Sequence, residues 1–217
     1  MKNILLASLL VSAALPVFSD TLIGGDIEVN AWQQNQTFRG NGHDEDNDEI
    51  AYTFEASIEH FIPLVPNVKY GYSGVDGDDY KYTKHDFTLY YEIFDNDILS
   101  FDAGVGVSQF SDGSVRVDSI GWQDFDGPLP HLYLGAEVGI PSTPIFLFAK
   151  GSGVTYKDND MLDYSVGIQY EFSLVAFDIE LQGGYRSQTI DLVGYDDLTI
   201  DLDAETSGFF AGVNFDF

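Results

Sequence analysis

Cysteine is absent from all 217 residues, so no disulfide framework holds the fold and the sheet itself must do so. Positive charge is scarce as well. Lys and Arg total 9 against 36 Asp and Glu, giving a formal charge of −27. Such a chain repels a phosphate backbone, which argues against nucleic acid as a partner. Bare anionic lipid is repelled too, unless divalent cations intervene. Beyond the N-terminal stretch there is no run of 18 consecutive apolar residues, so no helix is expected to cross a bilayer. If the chain is membrane-embedded, it must cross as strands. No Pro/Gly/Ser-rich linker divides it, and one domain is expected.

The N-terminus supplies an address. Lys2 precedes an apolar run over residues 4–15, followed by Pro16 and the small or modest residues Val17 and Ser19. That layout predicts a signal peptide over residues 1–19, too short for an anchor, with residues 20–217 as the mature domain.

The mature chain alternates with period two, the signature of strands with two unlike faces. Ile27, Val29 and Ala31 alternate with Asp26, Glu28 and Asn30. Tyr52, Phe54 and Ala56 alternate with Thr53, Glu55 and Ser57, and Phe87, Leu89 and Tyr91 continue the pattern. It recurs through Leu99–Val107, Leu132–Ile140, Leu162–Phe172 and Phe177–Tyr185, with weaker phase at Val68–Tyr72 and Ile145–Ala149. With the terminal segment this makes ten strands, eight being the alternative. Residues 33–49 and 111–130 are expected to be long polar loops. Connections after even-numbered strands are short and those after odd-numbered strands mostly longer, as expected when short turns face the periplasm.

Charge is confined to one phase. The apolar phase carries no Asp, Glu, Lys or Arg, whereas the other carries Asp26, Glu28, Glu55, Glu59, Lys69, Asp86, Glu92, Asp102, Glu137, Lys150, Asp163, Glu171, Asp178, Glu180 and Asp216, with Arg186 as a further counter-charge in the lumen. Periodicity alone does not say which face points inward. Export, loop asymmetry and aromatics near strand ends, such as Tyr52, Tyr72, Tyr164 and Phe215, favour apolar side chains toward lipid. The expected fold is all-β, a transmembrane antiparallel up-and-down β-barrel.

The last nine residues place Phe209, Val213, Phe215 and Phe217 on one face. This segment resembles the C-terminal signature strand of bacterial outer-membrane β-barrels, and the mature chain as a whole resembles a family of proteobacterial outer-membrane β-barrel proteins. The resemblance implies the outer membrane of a Gram-negative bacterium as location. It implies lipid and lipopolysaccharide as surroundings, and the barrel-assembly machinery as a partner that reads the terminal strand during biogenesis. It brings no catalytic residues, and a monomer is expected.

For function, the polar phase is the main lead. Ten strands enclose a lumen that side chains nearly fill, so the expectation is a non-enzymatic structural protein or a narrow, cation-preferring pore. A second reading is a surface protein whose acidic loops hold Ca²⁺ or Mg²⁺ or a partner. Its weak ligand candidates are Asp44, Asp46, Asp48, Asp196 and Asp197, and no EF-hand is present because Glu49 stands where Gly is needed. A third is a hydrolase at the outer rim built on His131 with Asp124 or Asp126. The remaining histidines suggest less: His43 lies among acids, while His60 and His85 share the lipid-facing phase.

Overall fold

The structure, a computed structural model, describes residues 23–38, 49–96, 98–117, 121–175 and 177–217. The expected signal peptide, His43, Asp44, Asp46 and Asp48 lie outside the described residues. Alternation becomes strand everywhere it was expected. After a two-residue stub, β1 (Ile23–Gly24), come β2 (Asp26–Phe38), β3 (Glu49–His60), β4 (Asn67–Asp76), β5 (Tyr80–Asn96) and β6 (Leu99–Val117). Then follow β7 (Gly121–Gly139), β8 (Ile145–Tyr156), β9 (Asn159–Ser173), β10 (Asp178–Leu192) and β11 (Leu202–Asp216). Each of β2 to β11 pairs antiparallel with the next, and β11 pairs back onto β2. Ten strands therefore close an up-and-down barrel with no free edge around its girth.

Closure extends to the last residue. The Gly25 amide donates to the Phe217 carbonyl at 2.8 Å and the Phe217 amide to Gly25 at 3.1 Å, so first and last strands are joined at the short-turn end. Phe209, Phe215 and Phe217 stand on the outer surface, as the terminal alternation predicts.

The outer surface is apolar around the barrel's middle. Val29, Phe54, Leu89, Val105, Leu134, Val166, Ile168 and Leu181 are all exposed, although water would penalise each at about 25 cal/mol per Å². A contiguous exposed belt of this kind on a closed sheet is suited to hydrocarbon, where every backbone group must already be paired. The barrel is thus that of an outer-membrane protein, with aromatic side chains such as Tyr52, Tyr72, Tyr164 and Phe172 exposed among the aliphatic ones.

The long-loop expectations need correction. Residues 33–38 continue β2, and 111–117 and 121–130 continue β6 and β7 into a tall hairpin. The segments look like polar loops because their outward positions, including Asn35, Asp124 and Asp126, stand beyond the belt and face water. The positions between them carry large apolar residues: Phe38, Phe110, Phe125 and Leu129 are essentially buried. Period two persists, but its polarity inverts. One outer connection expected to be long is a two-residue turn, Lys157 and Asp158, both with positive φ (52° and 64°), the conformation of a type I′ hairpin.

Above the belt the strands are unequal. Pairing of β7 with β8 stops at Leu132↔Gly153, so residues 121–131 of β7 have no β8 partner. Just past β7 the Ile140 amide donates toward β8, to Ile145, at 2.8 Å, which sets the direction for the even positions. Pro128 and Pro130 share that parity. They place residues without an N–H where no acceptor strand remains, a standard way of protecting an edge. At the next even position the Asp126 amide donates to the Asp196 carboxylate at 3.0 Å.

Candidate functional site

Alternate residues of every strand point inward, and the inward set divides into three levels. The middle level is an ion-pair network centred on Asp163 of β9. Its carboxylate accepts from Lys84 Nζ at 2.7 Å, from Arg186 Nε and Nη2 at 3.0 and 2.8 Å, and from Gln188 Nε2 at 2.7 Å. The Arg186 contact is bidentate, the geometry in which guanidinium and carboxylate bind most strongly. Lys84 also reaches Asp86 at 2.8 Å. Gln188 accepts from the Tyr82 hydroxyl at 3.1 Å and donates to Ser73 at 3.0 Å, and the Arg186 guanidinium lies 5.1 Å from the Trp32 ring. Five strands, β2, β4, β5, β9 and β10, are tied together across the lumen.

A second set adjoins it toward the short-turn end. Lys150 sits between Glu28 and Glu55, at 2.6 and 2.9 Å, and Lys69 lies 3.3 Å from Glu55. Lys69 also donates to the Tyr133 hydroxyl at 2.8 Å, with its ammonium over the Tyr90 and Tyr133 rings. Between the two sets lies a cavity with about 70 Å³ of space for water centres, room for a few water molecules and no more. Glu55, Lys69, His131, Lys150, Asp163 and Arg186 line it.

Below these sets the lumen opens into a mouth of carboxylates without cations. Glu171, Glu180, Asp178, Asp216, Asp26, Glu59, Glu92, Asp102 and Glu137 belong to this level, and no ion pair joins any of them to Lys or Arg among the described residues. Neutral donors hold several. Tyr90 donates to Glu59 at 2.6 Å, Gln169 to Glu137 at 2.7 Å, and Ser173 to Glu171.

The outermost level is apolar. Phe38, Val75, Tyr80, Tyr82, Phe110, Val115, Phe125, Leu129, Met161, Ile190, Leu192 and Leu202 form one buried cluster. The β10–β11 connection, residues 193–201, adds Tyr195 and Leu198 to it. Thr199 and Gln123 hold each other by side-chain and backbone hydrogen bonds of 2.6 to 3.0 Å, fastening that connection to β7. Gly127, with φ of +144°, makes room for Tyr195: a Cβ there would sit 2.8 Å from the phenol oxygen. Burial, followed by Asp196 and Asp126, pushes the Tyr195 hydroxyl well above its usual range, so it stays protonated.

The expected lumen residues Glu28, Glu55, Lys69, Lys150 and Arg186 meet in the network, and Glu92, Asp102, Glu137, Glu171, Asp178 and Glu180 gather at the mouth. The hub itself was not foreseen: the polar phase includes Asp86 and Asp163, but nothing in the sequence singles out Asp163 as a centre, and Lys84 is not among the candidates. Lys84 precedes the clear alternation of this strand, but its spacing of two from Asp86 places both on the polar phase.

The rim hydrolase does not assemble. His131 points inward and is 3% exposed, whereas Asp124 and Asp126 have the opposite parity and face out. Spacings of seven and five residues put them on opposite faces of β7. His131 is instead held by Thr88 at Nε2 (2.9 Å) and Ser108 at Nδ1 (2.8 Å), with Gly106 leaving the space that its ring occupies. Ser108 donates its proton to Asp86 at 2.5 Å. Nδ1 must therefore donate to Ser108 and Nε2 accept from Thr88, which leaves no basic nitrogen for the serine.

Of the loop candidates, Asp196 is engaged by the Asp126 amide and Asp197 is exposed. Among the described residues no three His, Asp or Glu side chains converge as a metal site. On the outer surface Asp160, Asp191 and Asp203 stand directly opposite one another on adjacent strands. Partial burial, then Asp203 and Asp160, raise the Asp191 carboxyl above its ordinary value.

No protein-family profile matches the chain, and no curated protein matches it. Solved structures of outer-membrane barrels resemble it at low identity. Neisserial surface protein A is 13% identical, with 90% of this chain and 97% of that one covered and a TM-score of 0.38. The β domain of the Bordetella autotransporter BrkA is 8% identical over 90% and 99%, with a TM-score of 0.44. The outer-membrane protease OmpT of Escherichia coli is 11% identical over 94% and 99%, with a TM-score of 0.41. This chain's own apolar belt and closed ten-strand sheet carry the assignment to the membrane.

Proposed function

We propose that this protein is a non-enzymatic outer-membrane barrel that stays closed at rest and serves as a structural or surface component. The observation that carries the reading is the double obstruction of the lumen: the Asp163 network fills the middle, and the aromatic cluster seals the outer end. A standing cation-preferring pore needs a continuous water path, because an ion stripped of water in an apolar constriction meets a barrier of many kcal/mol. The carboxylate-rich mouth would favour cations, but it leads into the plug.

Planar-bilayer recording on the folded barrel tests this. Silence at moderate voltage is the expected result, and discrete single-channel steps in the unaltered protein would overturn it. The hydrolase reading has no support in the His131 geometry, and replacing His131 by Ala is expected to change no lipase or protease rate. Lipopolysaccharide and lipid contact the belt in this reading, and the assembly machinery reads Phe209, Val213, Phe215 and Phe217.

A further inference from the structure

We infer that the short-turn mouth of the barrel binds a ligand bearing spaced ammonium groups, the chemistry of a polyamine or of a lysine-rich chain segment. Strand register brings its carboxylates face to face. Glu171 is directly opposite Glu180, and Asp216 is directly opposite both Asp178 and Asp26. Glu92 likewise faces Asp102. Like charges opposite one another in a sheet oppose pairing.

The same lumen shows what resolves such a pair. Glu28 and Glu55 are also opposite partners, and the Lys150 ammonium lies between them at 2.6 and 2.9 Å. For the mouth pairs the described residues supply no ammonium within ion-pair distance. A second observation marks the place. Asn214, 8% exposed, stands in the same cross-strand row between Glu180 and Glu28. Its amide nitrogen is committed to Asp26 at 3.0 Å and Glu180 at 2.8 Å, which fixes the side-chain flip. Its buried oxygen has no donor, and neither has Asp102 Oδ1. Two buried acceptors without donors, beside carboxylates without cations, call for N–H groups that carry charge.

A single metal ion does not fit, because the carboxylates are spread along the ladder and no three converge. A flexible chain with ammonium groups several ångströms apart does. It would enter from the periplasmic side and stop at the Lys69 and Lys150 level, where the charge changes sign.

Calorimetric titration of the folded barrel in zwitterionic micelles tests this with spermidine and with tri-lysine, each against Mg²⁺ at matched ionic strength. Saturable binding of at least one of the two amines, resisting matched Mg²⁺, is expected. Tighter spermidine binding identifies a free polyamine, and tighter tri-lysine binding a chain segment. The double variant E180Q/D216N should bind at least tenfold more weakly, while D191N/D203N on the outer surface should bind normally. The inference is overturned if neither amine binds the unaltered barrel or if Mg²⁺ displaces them equally well. It is also overturned if the mouth variant, shown to be folded by heat-modifiable gel migration, binds as tightly as the unaltered protein. The Mg²⁺ comparison decides the matter even if that variant does not fold.

Discussion

The belt and the outer extension are made from the same strands, with one irregularity in β6 between Phe110 and Gly113, yet they are inside-out copies of each other. Along β7 the outward residues run Val138, Ala136, Leu134 and Leu132, and then Asp126 and Asp124, while the inward residues change from Glu137 and His131 to Leu129 and Phe125. Along β10 the outward row passes from Leu181 to Asp191 and the inward row from Glu180 and Arg186 to Ile190 and Leu192. On β10 the ladders to β9 and β11 run through the crossing without a register shift. What changes there is the solvent. Hydrocarbon outside requires apolar outward residues and leaves the polar ones to satisfy each other in the lumen, whereas water outside restores the arrangement of a soluble protein.

The contrast can be broken most forcefully at the hub. D163A strands Lys84 and Arg186 in the lumen without their shared carboxylate, and losing one partner of a buried pair costs about 4 kcal/mol. Urea unfolding of the barrel in vesicles should report that loss. In the extension F110A removes a ring from a fully buried aromatic site, at a cost of about 3 kcal/mol. Conductance should stay absent in F110A, because the Asp163 network still fills the middle of the lumen. The same assay sharpens the boundary between the halves. L89K places an ammonium on the lipid face, where about 2.5 kcal/mol is expected, while T83K, on the same outward phase of β5 but beyond His85 and above the belt, should stay within about 0.5 kcal/mol.

The smallest effect is electrostatic. Because Asp191 has a raised carboxyl pKa in the fold, its protonated form favours folding. That contribution is complete below the ordinary carboxylate value near 4 and is lost as pH rises through the raised one. Stability should therefore fall slightly across that window in the unaltered protein, and D191N should flatten this part of the profile. An unchanged slope in D191N would show that Asp160 and Asp203 do not act on it.

Much of this was legible in the sequence. Alternation at Tyr52–Ile58 and Leu162–Phe172 placed strands and separated their two faces, because side-chain direction in a strand is set by parity alone, while loop asymmetry and strand-end aromatics chose the lipid face. The inward position of Glu55 and Lys150 followed from the same parity. The tall β6–β7 hairpin was hidden because its outward residues, Asp124, Asp126, Pro128 and Pro130, have the composition of a loop, and only the buried Phe125 and Leu129 between them reveal the strand. His131 and Asp124 looked like partners because proximity in sequence conceals opposite faces.

Sequence alone determined that the chain makes two-faced strands, since the period of side-chain polarity is a local property. Tertiary structure alone decided which carboxylates found a cation. Lys84, Arg186 and Asp163 come from three different strands, and their meeting depends on barrel closure and on the register that closure imposes, neither of which is written in any one segment.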